Sequence, residues 1–222
     1  MKLNKVMALA LSGLMAVSML AGCAGDPSNG DGGNTEVTPP ASDAVSIMNE
    51  AQSAVKFEAN ADFDAALAAA AKKVSHSDIK SQGYAVTQVK KGNVWDELEK
   101  KLDVDAGLVG TTGDIFFNDA ADGAQKGGES ATLTGLWKVE ADGLTEKAAL
   151  EQVAAQMKGQ INGDEKYPET VTLTGKGTYE ATYTGNVSIV TVNTADGGET
   201  ATAYYIAVAV TQTLARDPQT NV

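Results

Sequence analysis

The sequence predicts an α+β fold, with helices packed on antiparallel β meanders. Three observations point there. Apolar residues recur at helical spacing in several segments after residue 43. The C-terminal quarter is rich in Thr, Val, Ile and Tyr, broken by Gly-containing turns. The strands also follow one another without the regular helix alternation of a doubly wound α/β domain.

The elements follow in chain order. Val45, Met48, Gln52 and Val55 mark a first helix. Phe63, Ala66, Leu67, Ala70, Ala71 and Val74 form a cleaner stripe behind Asp62 as cap. His76 sits in a polar linker, Ser75-His76-Ser77-Asp78, and is expected in a solvated loop. Tyr84 to Thr87 reads as a strand. Val94 to Leu102 reads as a helix with Asn93 as N-cap, acids in its first turn, and Lys100 and Lys101 in its last, complementing the helix dipole. Leu133 to Val139 is a further strand. A helix runs from a Thr145 cap through Leu150, Val153, Ala154, Met157 and Ile161 to Gly163. Strands follow at Thr170 to Thr174, Thr178 to Thr184, Val187 to Asn193 and Thr200 to Leu214.

Two parts of this pattern share their wording. Tyr84-Ala85-Val86-Thr87 with Gly92-Asn93-Val94 parallels Tyr179-Glu180-Ala181-Thr182 with Gly185-Asn186-Val187. Asn118 to Thr132 parallels Asn193 to Thr202. Two readings stay open: a tandem duplication with repeats 43–141 and 142–222, or coincidence in a chain rich in Ala, Thr, Gly and Asp. A tandem of helix-plus-meander units resembles the β-lactamase inhibitory proteins and other cystatin-like modules. That likeness is architectural and implies no function.

The N-terminus carries the sharpest functional signal. Lys2 and Lys5 precede an apolar run from Val6 to Met19, too short for a stable bilayer span and suited to an export signal. Leu20-Ala21-Gly22-Cys23 closes it, and Cys23 is the single cysteine in the chain. The segment resembles the signal and lipobox of bacterial lipoproteins. That resemblance implies a leader of residues 1–22, cleavage before Cys23, a diacylglycerol thioether on its sulfur, acylation with fatty acids such as palmitate, and attachment to the extracytoplasmic face of a membrane. Ala24 after the cysteine implies outer-membrane sorting in a two-membrane host. More than one acyl chain anchors stably where a single chain does not.

Residues 24–42 shift to Gly, Asn, Asp, Ser, Thr and Pro. They are expected to form a flexible tether between Cys23 and an extracytoplasmic domain at 43–222, with a mean reach of about 25 Å. The later apolar run Tyr204 to Val210 is far below transmembrane length.

Charge and composition narrow the function. The chain has 17 basic and 29 acidic residues, a net charge of −12. Loss of the leader with Lys2 and Lys5 makes the mature chain more acidic still, which disfavours nucleic acid as a partner. With His76 as the only histidine and Cys23 lipidated, a zinc site of several imidazoles or thiolates is excluded, as is a cysteine nucleophile. Arg216 is the only arginine, so bidentate phosphate clamps are not the recognition device. No cofactor is expected.

Ser53-Ala54-Val55-Lys56 and Ser77-Asp78-Ile79-Lys80 meet the Ser-x-x-Lys spacing of penicillin-binding proteins. The accompanying motifs are missing, with Thr174-Gly175-Lys176 in the wrong order. Asp114, Asn118, Asp119 and Asp122 are candidate calcium ligands by their density of oxygen donors, and a polar hairpin turn explains the same residues.

Val89 to Val104 resembles the first half of a LysM module, which implies peptidoglycan binding through Gly92, Asn93 and Trp95. The chain departs from that pattern by lacking one residue between Gly92 and Trp95 and the usual closing strand. Trp95 and Trp137 suit either sugar stacking or core packing. The expected role is therefore non-catalytic binding or scaffolding in the cell envelope, with an envelope protein or polysaccharide as partner. The alternatives are a LysM-like peptidoglycan binder, a carboxylate-based hydrolase and a small solute-binding lipoprotein.

Overall fold

In the computed structural model, residues 34–38, 43–80, 86–102, 130–158, 160–161, 164–165, 167–173 and 177–216 are described, all within one unit, Gly33–Val222. The α+β expectation holds. In chain order the elements are β1 (Asn34–Thr38), α1 (Ala44–Ala51), β2 (Lys56–Glu58), α2 (Ala61–Ala71), α3 (His76–Lys80), β3 (Val86–Gln88) and α4 (Asn93–Leu102). They continue with β4 (Ser130–Glu140), α5 (Glu146–Met157), β5 (Gln160–Ile161), β6 (Asp164–Glu165), β7 (Thr170–Leu173), β8 (Gly177–Asp196) and β9 (Glu199–Arg216).

A hairpin of β8 and β9 is the spine. The two strands are 20 and 18 residues long, so β8 extends about 65 Å. Asp196 faces Glu199 across Gly197 and Gly198, whose φ values of 57° and 87° are those a two-residue type I′ turn requires. The main sheet runs β1-β8-β9-β4-β3, with β2 and β7 also on β8. Three short strands thus share the outer edge of β8: β7 antiparallel at 177–180, β2 parallel at 184–186 and β1 antiparallel at 191–195. Short segments of this kind shield a long strand's free backbone groups from unwanted pairing.

Helices cover both faces. On one, α1 and α5 pack on odd-numbered residues of β8 and even-numbered residues of β9, including Val187, Ile189, Ile206 and Val208. On the other, α2, α3 and α4 pack on Val190, Val192, Tyr205 and Ala207. The small side chains of Ala203, Ala207 and Ala209 of β9 share this second core with Ala66, Ala70 and Ala71 of α2.

Several boundaries differ from expectation, each for a local reason. The first helix stops at Ala51 because Gln52, in extended backbone, turns its side chain onto the following loop. Its Nε2 donates to Val55 O at 2.6 Å and its Oε1 accepts from Val55 N at 2.9 Å. Asn60, not Asp62, caps α2, its Oδ1 accepting from the amides of Asp62 and Phe63 at 3.1 Å. Lying just outside the helix, it reaches the free amides that Asp62 is too far in to serve. The Asn93 helix begins at Asn93 itself, with Gly92 O accepting from Asp96 N at 2.9 Å, so Gly92 takes the capping position. Thr145 caps α5 as expected, accepting from Ala148 N at 3.2 Å. That helix ends at Met157, where Lys158 turns extended, and Ile161 lies in β5 instead.

Two corrections are larger. The strands expected at 178–184 and 187–193 are one strand, with no turn at Gly185-Asn186. A Cβ at Gly185 would sit 2.7 Å from both Ala209 O and Phe57 Cε1, so glycine here lets the β2 side chain and the neighbouring strand approach closely. Residues 34–38, assigned to the tether by composition, form β1. Thr35 Oγ1 donates to Val74 O at 3.1 Å, and Val37 packs against the second core. Of the paired wording, Gly92-Asn93 opens a helix while Gly185-Asn186 lies within a strand, and residues 118–129 lie outside the described residues.

Candidate functional site

Several candidate residues fall outside the described part of the chain: Cys23, the calcium candidates Asp114, Asn118, Asp119 and Asp122, and Thr174-Gly175-Lys176. Among the described residues no group of three His, Cys, Asp or Glu gathers to hold a metal, and no helix is long and apolar enough to cross a membrane.

The carbohydrate candidates separate. Gly92 (φ 102°) and Asn93 stand exposed at the start of α4. Trp95 is only 4% exposed and packs in the core with Val94 and Leu98, so its ring offers no stacking face to a sugar. Trp137 is fully buried against α5, its Nε1 donating to Gln156 Oε1 at 2.9 Å.

The nucleophile candidates are engaged elsewhere. Lys56 pairs with Glu58 at 3.1 Å and Lys80 with Glu199 at 3.4 Å, while Ser77 Oγ lies 2.9 Å from Ser75 Oγ. His76 opens α3 instead of sitting in a loop, and its Nδ1 lies 3.1 Å from Thr194 Oγ1. Asp64, in the first turn of α2, has its carboxyl raised above the ordinary range by burial, with the Ser188 hydroxyl offsetting part of the rise.

The feature that stands out lies at the end of the sheet away from the β8–β9 turn. Residues opposite one another in an antiparallel pair share a face, and neighbours along a strand alternate. From Tyr179 to Tyr183 the odd residues of β8 are buried, together with Val171 of β7 and Leu214 of β9. This side is tied by Tyr183, whose hydroxyl donates to Pro168 O and accepts from Gln212 Nε2, both at 3.1 Å.

The opposite face of the same strands is lined with threonine. Thr184, Thr211 and Thr132 form one row across β8, β9 and β4; Thr182 and Thr213 form the next. Thr170, Thr172 and Thr178 extend it across β7 and β8. All are exposed or half-buried. Thr132 and Thr211 hydroxyls lie 2.8 Å apart, and those of Thr172 and Thr178 lie 3.2 Å apart. Hydroxyls therefore repeat about every 4.8 Å across strands and about every 6.7 Å along them. Glu180, opposite Ala215, is charged, and so are Lys56 of β2, beside Thr184, and Glu58, beside Asn186.

Sequence reasoning accounted for these threonines through strand propensity and did not resolve them as a surface. Their even spacing at 178, 182 and 184 was the available signal, but only a continuous β8 puts them on one face. Comparison with protein-family models, curated proteins and solved structures finds no match to this chain.

Proposed function

We propose that the chain is an exported lipoprotein, anchored through Cys23 on the extracytoplasmic side of a membrane, with a non-catalytic binding or scaffolding role in the cell envelope. The anchoring half rests on the basic, apolar and Leu20-Ala21-Gly22-Cys23 series. The binding half rests on one observation above all: the far end of the sheet buries one face and leaves the other to solvent as a polar surface rich in threonine.

The placement of β1 supports the pairing of these two halves. Ten residues lie between Cys23 and Asn34, a reach of at most about 38 Å at full extension. Asn34 is opposite Ala195, beside the hairpin turn. The chain thus enters the fold at the end opposite the threonine rows, about 40 Å along β8 from Thr182.

Metabolic labelling with a palmitate analogue tests the anchor. The full chain expressed in a bacterial host should incorporate label and fractionate with membranes, and Cys23→Ser should do neither. An unlabelled, freely soluble wild-type chain would refute the anchor.

A further inference from the structure

We infer that β1 is a strap that opens and closes on the edge of β8 while the rest of the fold stays intact. The inference rests on the anchoring proposed above only for what pulls on the strap.

Three short strands share the outer edge of β8, and two of them are pinned by side chains. β2 buries Phe57, 2% exposed, in the first core. Asn49 bonds both the amide and the carbonyl of Phe57, at 2.8 and 3.0 Å, and Asn186 Nδ2 donates to Glu58 O at 3.0 Å. β7 buries Val171 in the same core.

β1 is held differently. Thr35 and Val37 are half-buried, while Glu36 and Thr38 are exposed. What keeps it in place is five residue pairs with β8, the Thr35 hydroxyl on Val74 O and the flank of Val37 against the second core. Opening β1 thus empties no core position, whereas opening β2 or β7 would. Segments that lose few apolar contacts on release are the ones that open without global unfolding.

The connections favour the same motion. Thr38 is followed by Pro39-Pro40, and neither proline has an amide with which to bond the exit of β1 to the body. On the other side Asn34 is the first described residue after Cys23, so a pull on the anchor reaches β1 before the rest of the fold. Opening uncovers the outward backbone of Thr191 to Ala195 and one flank of Val192 and Thr194, which are buried while the strap is closed. The anchor and the state of this strand edge are thereby linked.

The test is amide hydrogen exchange, read by NMR in zero to sub-denaturing urea, on the chain from residue 23 with Cys23→Ser. That chain keeps every described residue and needs no lipid, so failure of the anchor and failure of this inference are read separately. The β1 amides should be protected, yet exchange about tenfold or more faster than those of Ile206 and Val208 in β9. Their rate should hardly change with urea, because a local opening exposes little surface, while the β9 and β2 amides accelerate steeply. Val37→Ser should speed β1 exchange about fivefold, with unchanged β9 protection showing that the variant has folded.

β1 amides that accelerate with urea in step with β9 would overturn the inference, because β1 would then open only on global unfolding. So would an absence of protection in β1, a β2 that opens as readily as β1, or β1 exchange unaltered by Val37→Ser.

Discussion

The two ends of β8 are built from one strand and differ in what lies above it. Between Tyr179 and Thr184 odd residues are buried and even ones face solvent; from Val187 to Val190 every residue is buried; at Val192 and Thr194 the even ones are buried. The alternation has not slipped, because the register with β9 is unbroken from Tyr179 to Asp196. Instead α2 to α4 cover the even face only toward the turn, where that face carries Val190 and Val192. Beyond their cover it carries Thr182 and Thr184. A near-isosteric pair of residues, differing by a methyl and a hydroxyl, thus records where the helices end.

That comparison can be attacked by substitution. The largest effect is expected from Trp137→Ala, which empties the biggest fully buried side chain of the sheet, on its α5 side, and removes its hydrogen bond to Gln156. Urea denaturation should show a loss of about 4 kcal/mol. Gly185→Ala, where the pattern of cover changes, forces a methyl against Ala209 O and the Phe57 ring and should cost about 2 kcal/mol by the same measurement.

The sharpest version exchanges the two side chains. Val192→Thr buries a hydroxyl under the helices and should cost about 2 kcal/mol, whereas Thr184→Val should stay within about 0.5 kcal/mol. Equal costs for the two exchanges would mean that helix cover does not distinguish the ends.

The smallest effect is in alkali. Burial pushes the Tyr183 phenol up to about 12, with the Gln212 hydrogen bond offsetting part of the rise, and raises Tyr167 and Tyr205 as well. A phenol whose pKa is higher in the folded than in the unfolded chain contributes stability that is intact below about 10 and lost as pH climbs toward 12. Thermal midpoints should therefore fall from about pH 10 upward. Tyr183→Phe should flatten part of that fall while giving up the hydrogen bond to Pro168 O.

Much of this architecture was legible in the sequence. The stripe of α2, the Thr145 cap and the β-rich C-terminus are local patterns, and local patterns survive folding when tertiary contacts agree with them. The misreadings occurred where distant residues decide. Gly185-Asn186 has the composition of a turn, but Phe57, far upstream, requires the glycine within a strand. Asn34–Thr38 has the composition of a linker, but an edge strand takes its hydrogen bonds from β8 and needs little more than Val37 to join the core. Trp95 offered a sugar platform as well as a core side chain in sequence, and α4 over the second face places it in the core. The threonine surface depends on three strands coming into register, and no single segment carries that information.

The place of β1 in the sheet has a consequence for the order of events in folding. Its partners, Thr191 to Ala195, come from near the end of the chain, and β1 can pair only after almost everything between has been made and laid down. Contacts of such sequence separation are slow to close. The first strand to emerge is therefore the last to latch, and until it does the turn-proximal edge of β8 stands open to any passing strand.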